Sequence, residues 1–134
     1  MNRIIYVCVI LTAAMVMLSG CGSTISDHFD ESEVKNKVEE VIHLTFQDDY
    51  EAILEMSDER FSTAMTVDEL RSAINQVIEQ AGEFSEIKNT VVGGAEEDGI
   101  DIAVAVSSVK CADATLTFTI SFDSDMELCG YYIK

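Results

Sequence analysis

The sequence predicts an α+β fold in which three N-terminal helices pack on a curved four-stranded antiparallel sheet. Two observations predict it: apolar residues recur every three or four positions between Glu33 and Ala81, and every second position over most of residues 100–122. The chain has 134 residues, which is enough for one hydrophobic core and too few for two. We therefore expect a single domain over residues 33–134, preceded by a signal-peptide helix (1–20) and a flexible tether (21–32).

The first predicted helix has one apolar face. That face consists of Val34, Val38, Val41, Ile42 and Phe46, which are spaced as on one side of an α-helix. His43 lies about 180° from Val34 on this helix, so we expect it to face solvent. His28 belongs to the polar tether, with no Cys or second His at the spacing of a metal ligand.

A short helix, a further turn of helix and a last helix come next, and each has its own start signal. Asp48 and Asp49 can cap a short helix that begins near Tyr50, and Ser57-Asp58 can cap a further turn of helix. The last helix begins with a capping box, Thr66-Val67-Asp68-Glu69, and Gly82 is a suitable residue to end it.

The sheet is predicted from residue alternation. Residues 87–92 form a modest first strand, and in the second strand the bulky residues Ile100, Ile102, Val104 and Val106 are expected to face the core. A change of parity at Ser107-Ser108 then predicts a β-bulge. The third strand has an inward row of Leu116, Phe118, Ile120 and Phe122, and residues 128–133 close the sheet as a meander.

The first twenty residues differ in composition from the rest of the chain. Arg3 is their only basic residue, and Ile4 to Leu18 is apolar for fifteen residues except for Thr12. This length is short of the roughly 20 residues that span a bilayer core and is typical of a secretory signal peptide. The alternative is a membrane anchor that is retained.

The four residues Leu18-Ser19-Gly20-Cys21 come directly after this apolar run. They resemble the lipobox of bacterial lipoproteins: a branched apolar residue, two small residues and the acceptor cysteine. The resemblance implies that Cys21 is diacylglyceryl-modified and becomes the mature N-terminus. Two acyl chains anchor a protein stably, so we expect an extracytoplasmic protein attached to a bacterial membrane through its N-terminal lipid.

Composition and motifs argue against several classes of partner and ligand. The chain has 25 acidic and 8 basic residues, a formal net charge of −17, which argues against nucleic acid because phosphate binding needs a basic face. No cofactor or metal is expected: the acidic stretch that starts at Asp123 has Leu128 and Lys134 where a calcium-binding EF-hand requires Gly and Glu. The register expected for the strands separates Cys111 from Cys129, so both are predicted to be free, buried thiols.

Several short segments carry a resemblance to a known family. Asp49-Tyr50-Glu51-Ala52, residues 66–70, Gly82-Glu83-Phe84 and the ending Phe122-Asp123…Gly130-Tyr131-Tyr132-Ile133 resemble a bacterial domain-of-unknown-function family of secreted and lipoprotein modules. The resemblance covers about Glu33 to Lys134 and implies the nuclear-transport-factor-2-like, or cystatin-like cone, architecture. Members often have Gly where this chain has Met126. The family supplies no catalytic residues to carry over.

Two functions remain open from the sequence. The first is a non-catalytic binding or interaction module of the cell envelope, with the outer sheet face of Ala103, Ala105, Thr117 and Thr119 either plainly solvated or docking an envelope protein or a second copy. The second is a small hydrolase or isomerase that uses a Tyr/carboxylate pair in the cone pocket. The candidate pocket residues are Tyr50, Tyr131 and Tyr132, and the sequence leaves open whether Tyr131 or Tyr132 points inward.

Overall fold

The computed structural model describes residues 25–134. Four helices precede four strands in these residues: α1 Glu31–Phe46, α2 Tyr50–Glu55, α3 Glu59–Ala64, α4 Val67–Ala81, β1 Phe84–Glu97, β2 Ile100–Cys111, β3 Thr115–Phe122 and β4 Leu128–Ile133. The α+β class, with helices before an antiparallel sheet, is confirmed. No helix within residues 25–134 is both long and apolar enough to cross a membrane. The predicted signal peptide and the lipobox Leu18-Ser19-Gly20-Cys21 lie outside the described residues.

The helices number four rather than three because the turn expected after Ser57-Asp58 is a helix of its own. Asp58 caps α3 by accepting a hydrogen bond from the Phe61 N–H at 2.7 Å, as Asp49 caps α2 by accepting from the Ala52 N–H at 3.2 Å. Such caps satisfy backbone donors that a helix of six residues otherwise leaves free.

The predicted capping box of α4 is confirmed. Thr66 Oγ1 accepts from the Glu69 N–H at 3.2 Å, and Glu69 Oε2 accepts from the Thr66 N–H at 2.8 Å. The helix ends at Gly82, whose φ of 81° lies in the left-handed region that favours glycine.

The N-terminal boundary of the fold lies earlier than predicted. Asp30 caps α1, which begins at Glu31, and Phe29 belongs to the hydrophobic core. The Phe29 N–H donates to the Ser26 carbonyl at 3.0 Å, forming a turn that brings the ring inward. The fold therefore includes residues that the sequence pattern assigned to the tether.

The strands lie side by side in the order β1-β2-β3-β4, as a meander. Helix α1 covers the inner face of this sheet and has a fixed direction on it. Near its start, Lys37 Nζ donates to the Met126 carbonyl, in the β3–β4 turn, at 2.8 Å; at its end, the Phe46 ring lies 5.1 Å from the ring of Phe84 at the start of β1. The N-terminus of α1 therefore lies at the end of the sheet that carries the β1–β2 and β3–β4 turns, here called the turn end.

The predicted orientation of β2 was wrong. Ala103, Ala105 and Ser107 are fully buried, whereas the bulky residues between them face outward. The pairing of β2 with β3 is continuous from Ala103–Phe122 to Lys110–Thr115, so the bulge expected at Ser107-Ser108 is absent from the described strand. Small inward side chains leave room for α1 against the sheet, and the Ser107 hydroxyl is satisfied by Thr90 Oγ1 at 2.6 Å.

The irregularities of the sheet lie in its two edge strands instead. The register shifts twice in β1, between Phe84 and Asn89, and once in β4, where Cys129 is the extra residue. The bulge at Cys129 turns Tyr131 toward the core and Tyr132 outward. Met126, in the preceding turn, has a φ of 60°, which lies in the left-handed region that favours glycine.

Candidate interaction surface

The outer face of the sheet carries two adjacent rows of side chains that cross all four strands. Directly opposed residues of antiparallel strands point to the same side of a sheet. The strand pairing therefore defines a first row of Val91, Val106, Thr119 and Tyr132 and a second row of Gly93, Val104, Ser121 and Gly130. We call these the ridge row and the groove row.

The ridge row is apolar and exposed. Val91 is 61% exposed, Val106 41% and Tyr132 57%. Ile100, which is 51% exposed, lies on the same face further toward the turn end. All the exposed large apolar side chains found in residues 25–134 thus share one face of the sheet. Such clustering marks an interaction site more often than a plain solvated surface.

The groove row is lower than the ridge row at its two ends, because both of its outer positions are glycines. A Cβ on Gly130 would lie 3.1 Å from Ser121 Oγ, so a side chain at this position would press on its neighbour. The groove row is therefore low at its two ends, whereas Val104 at its centre is as large as Val106 beside it.

The outer face is also uncharged at its centre. None of the eight residues of the ridge and groove rows is ionisable at neutral pH, although the chain carries a net charge of −17. Charges occur toward the ends of the face, where Glu86 opposes Lys110, Glu97 opposes Ile100, and Lys134 opposes Thr117. The other carboxylates lie mainly on helices and turns.

A cleft of about 350 Å³ opens at the turn end, beside the outer face. Asp58, Arg60, Glu97, Asp123 and Cys129 help to line it. Burial, together with the nearby charge of Asp123, raises the pKa of the Cys129 thiol to about 11, so the thiol is protonated and a weak nucleophile at neutral pH. Among residues 25–134, no group of three or more His, Cys, Asp and Glu side chains is placed to hold a metal ion.

The three candidate pocket tyrosines are not brought together. Tyr132 lies on the outer face, and Tyr50 and Tyr131 lie inside the fold. The Tyr50 hydroxyl donates to Asn75 Oδ1 at 2.8 Å. The Tyr131 hydroxyl lies 2.6 Å from Thr45 Oγ1.

The hydroxyl groups of both inward tyrosines link separate secondary-structure elements by hydrogen bonds. Thr45 Oγ1 already donates to the Val41 carbonyl at 2.8 Å, so the Tyr131 hydroxyl is the donor in its bond to Thr45 and joins β4 to α1. The Tyr50–Asn75 bond joins α2 to α4. Burial raises the pKa of Tyr50 to about 12, with Asp48 adding to the rise and Arg71 opposing it. Burial also raises the pKa of Tyr131, so both phenols stay neutral at ordinary pH.

The two cysteines of the sheet are both free, as predicted. Cys111 is buried at the end of β2, as predicted, whereas Cys129 was expected to be buried and is only half-buried, because the bulge places it in the cleft. Sequence reasoning missed the ridge row, because it placed the bulky residues of β2 in the core. The alternation of Ile and Val with Ala in residues 100–106 was the available signal, since it defines one bulky and one small face.

The comparisons with known proteins give a family and a fold. Residues 38–131 match the family described as "Protein of unknown function (DUF3887)". The chain is similar to a solved structure, "NMR structure of protein from Ruminococcus gnavus ATCC 29149", with a TM-score of 0.73 and 21% sequence identity. The similarity covers 82% of this chain and 96% of that one, and at this identity it shows the fold alone. No curated protein matches the chain.

Proposed function

The chain belongs to the DUF3887 family of proteins of unknown function, and from its surface we propose that it is a non-catalytic interaction module of the bacterial cell envelope. A lipid on Cys21 anchors it to the outer side of a membrane, and the outer face of the sheet docks its partner. The proposal rests on the exposed apolar ridge row, which has no charged side chain although the protein as a whole is strongly acidic.

The inward tyrosines support a binding role over a catalytic one. A hydrolase or isomerase that works with a Tyr/carboxylate pair needs an inward tyrosine that is free to exchange a proton with the carboxylate. The Tyr50 and Tyr131 hydroxyls are instead bonded to Asn75 and Thr45, and their raised pKa values disfavour the phenolate. No contact in the described fold favours the enzyme hypothesis specifically.

The order of the elements supports the finer assignment of the fold. Helices that precede a four-stranded antiparallel meander, with α1 lying along the inner face, are what the nuclear-transport-factor-2-like architecture implies. We include that architecture in the proposal. Its members bind many different ligands and partners, so the surface, and not the fold class, carries the argument about function.

The anchor is tested by metabolic labelling with an alkyne-bearing fatty acid and subsequent fractionation of the cells. We expect labelled protein in the membrane fraction, loss of the label in Cys21→Ala, and retention of the label in Cys8→Ala. Cys8 is the matched control because it lies in the segment that the signal peptidase removes. Unlabelled wild-type protein, or a label that persists in Cys21→Ala, would contradict the anchor.

The docking face is tested by site-specific photo-cross-linking in intact cells. A photoreactive amino acid at Val106, in the ridge row, is expected to give a defined adduct. The same amino acid at Gln76, on the exposed side of α4, is expected to give none. Equal adducts from both positions, or none from Val106, would contradict an interaction through this face.

A further inference from the structure

We propose that the partner on the outer face is a second copy of this chain, anchored in the same membrane and packed sheet against sheet. This inference deepens the proposed function and rests on it. Four observations support the second copy: the shape of the face, the distribution of charge, the area of the face and the place where the chain enters the fold.

The shape of the face is complementary to itself. The ridge and groove rows are two residues apart along the strands, or about 7 Å. A twofold axis parallel to the rows and midway between them places the ridge row of each copy over the groove row of the other. Facing sheets pack about 10 Å apart, which allows Val91 of each copy to enter the space above Gly93 of the other, and Tyr132 the space above Gly130. The same patch serves both copies, as a twofold dimer requires.

The distribution of charge favours a partner that is itself neutral at the contact. Two chains with a large negative net charge repel one another least where they meet through a surface without carboxylates, and the centre of the outer face is such a surface. A basic partner would instead be drawn to the acidic helices and turns. The outer face lacks the negative charge that would bind it.

The area of the face predicts a weak dimer that the membrane strengthens. Four strands about 4.8 Å apart run side by side over residues 89–94 of β1, which gives about 400 Å² for each copy, or about 800 Å² in total. That total is smaller than stable specific interfaces and is typical of weak, transient contacts. Confinement of both copies to one membrane raises their effective concentration, so a contact of this size is enough to form a dimer there.

The place where the N-terminal tether joins the fold orients the outer face toward neighbouring copies in the membrane. Cys21 is four residues from Ile25, so at most about 14 Å of chain separates the lipid from the described fold. Helix α1 starts at the turn end, where Lys37 bonds to the Met126 carbonyl. The turn end therefore lies toward the membrane, the strands rise from it, and the outer face points sideways to other anchored copies.

The test is chemical cross-linking of the full chain in native membranes. A cysteine at Thr119 of each copy lies about 12 Å from its counterpart in the proposed dimer, within reach of a short bis-maleimide. The background is Cys129→Ser, because that half-buried thiol borders the face. Gln76→Cys is the matched control on α4. Val106→Lys and Val91→Lys are the two disrupting variants, and Ser72→Lys, exposed on α4, is their charge control.

We expect a covalent dimer from Thr119→Cys and none from Gln76→Cys. Both ridge-row lysines should reduce the dimer at least fivefold, while Ser72→Lys leaves it unchanged. Dimer formed equally from Thr119→Cys and Gln76→Cys, or left unchanged by both ridge-row lysines, would overturn the proposal. An adduct of Thr119→Cys with a different protein would overturn the second copy and leave the interaction module standing. Wild-type protein without the fatty-acid label would refute the anchor separately.

Discussion

The observed orientation of β2, which is the reverse of the predicted one, can be tested directly. The same substitution, Ala to Leu, should destabilise the fold on the inner face of the sheet and have little effect on the outer face. Ala105 is fully buried and pairs with Ile120 and Val92 beneath α1. Ala105→Leu adds three carbons to space that the core already fills, and overpacking of this kind typically costs about 1–3 kcal/mol. The matched control is Ala95→Leu, an exposed position on β1, where surface changes stay within about 0.5 kcal/mol.

The assay is urea denaturation of the purified protein, monitored by far-ultraviolet circular dichroism because the chain has no Trp. With a denaturant dependence of about 1–2 kcal/mol per molar urea, we expect Ala105→Leu to lower the midpoint by about 0.5 M or more. Ala95→Leu should leave the midpoint nearly unchanged. If Ala105→Leu is as stable as wild type, Ala105 does not face the core and the ridge row is not on the outer surface.

Three further predictions use the same denaturation assay. Thr66→Ala removes the capping box and should cost about 1 kcal/mol, and no loss would mean that the box does not stabilise α4. Gly82→Ala should destabilise more than Gly99→Ala, because both have left-handed φ angles but only the Cβ on Gly82 would meet a carboxylate oxygen, at 2.6 Å; equal losses would contradict this contact. The raised pKa values of Tyr50 and Tyr131 mean that the folded state holds their protons more tightly than the unfolded state, whose pKa is about 10. Stability should therefore be level up to about pH 8 and begin to fall near pH 9, because burial also raises the pKa of the Cys111 and Cys129 thiols. Above about pH 10 the tyrosines should add up to 1.4 kcal/mol per pH unit each, with a shallower fall in Tyr131→Phe.

The parts of the fold that local chemistry determines could be predicted from the sequence. The capping box at Thr66 and Glu69 depends on side chains three residues apart, and the inward row of β3 depends on strict alternation through Phe118 and Ile120. In both cases the signal and the structure that it predicts involve the same few residues.

The orientation of β2 could not be predicted because it depends on a helix that is distant in sequence. The rule that bulky residues face the core fails where α1 lies close to the strand and small residues must separate them. The hydrogen bond between Ser107 and Thr90, which satisfies the buried hydroxyl, also joins two separate strands.

The positions of Tyr131 and Tyr132 depend on another long-range contact. The Leu128 N–H donates to the Met56 carbonyl at 2.9 Å, and the Leu128 carbonyl accepts from the Asp58 N–H at 2.8 Å. These bonds fix the start of β4 against the α2–α3 connection, and the bulge at Cys129 then sets the parity of the strand. Neither bond has a signal in the residues around the tyrosines.

The central claim is that the outer face is covered when the protein is in the envelope, and thiol protection measures this most directly. In a Cys129→Ser background, the rate of maleimide labelling of Tyr132→Cys is compared between intact cells and dilute purified protein, with Gln76→Cys as the reference for reagent access. We predict labelling at least several-fold slower in cells at position 132 and unchanged at position 76. Equal rates at position 132 in cells and in dilute solution would show that the face stays open to solvent and would contradict the account.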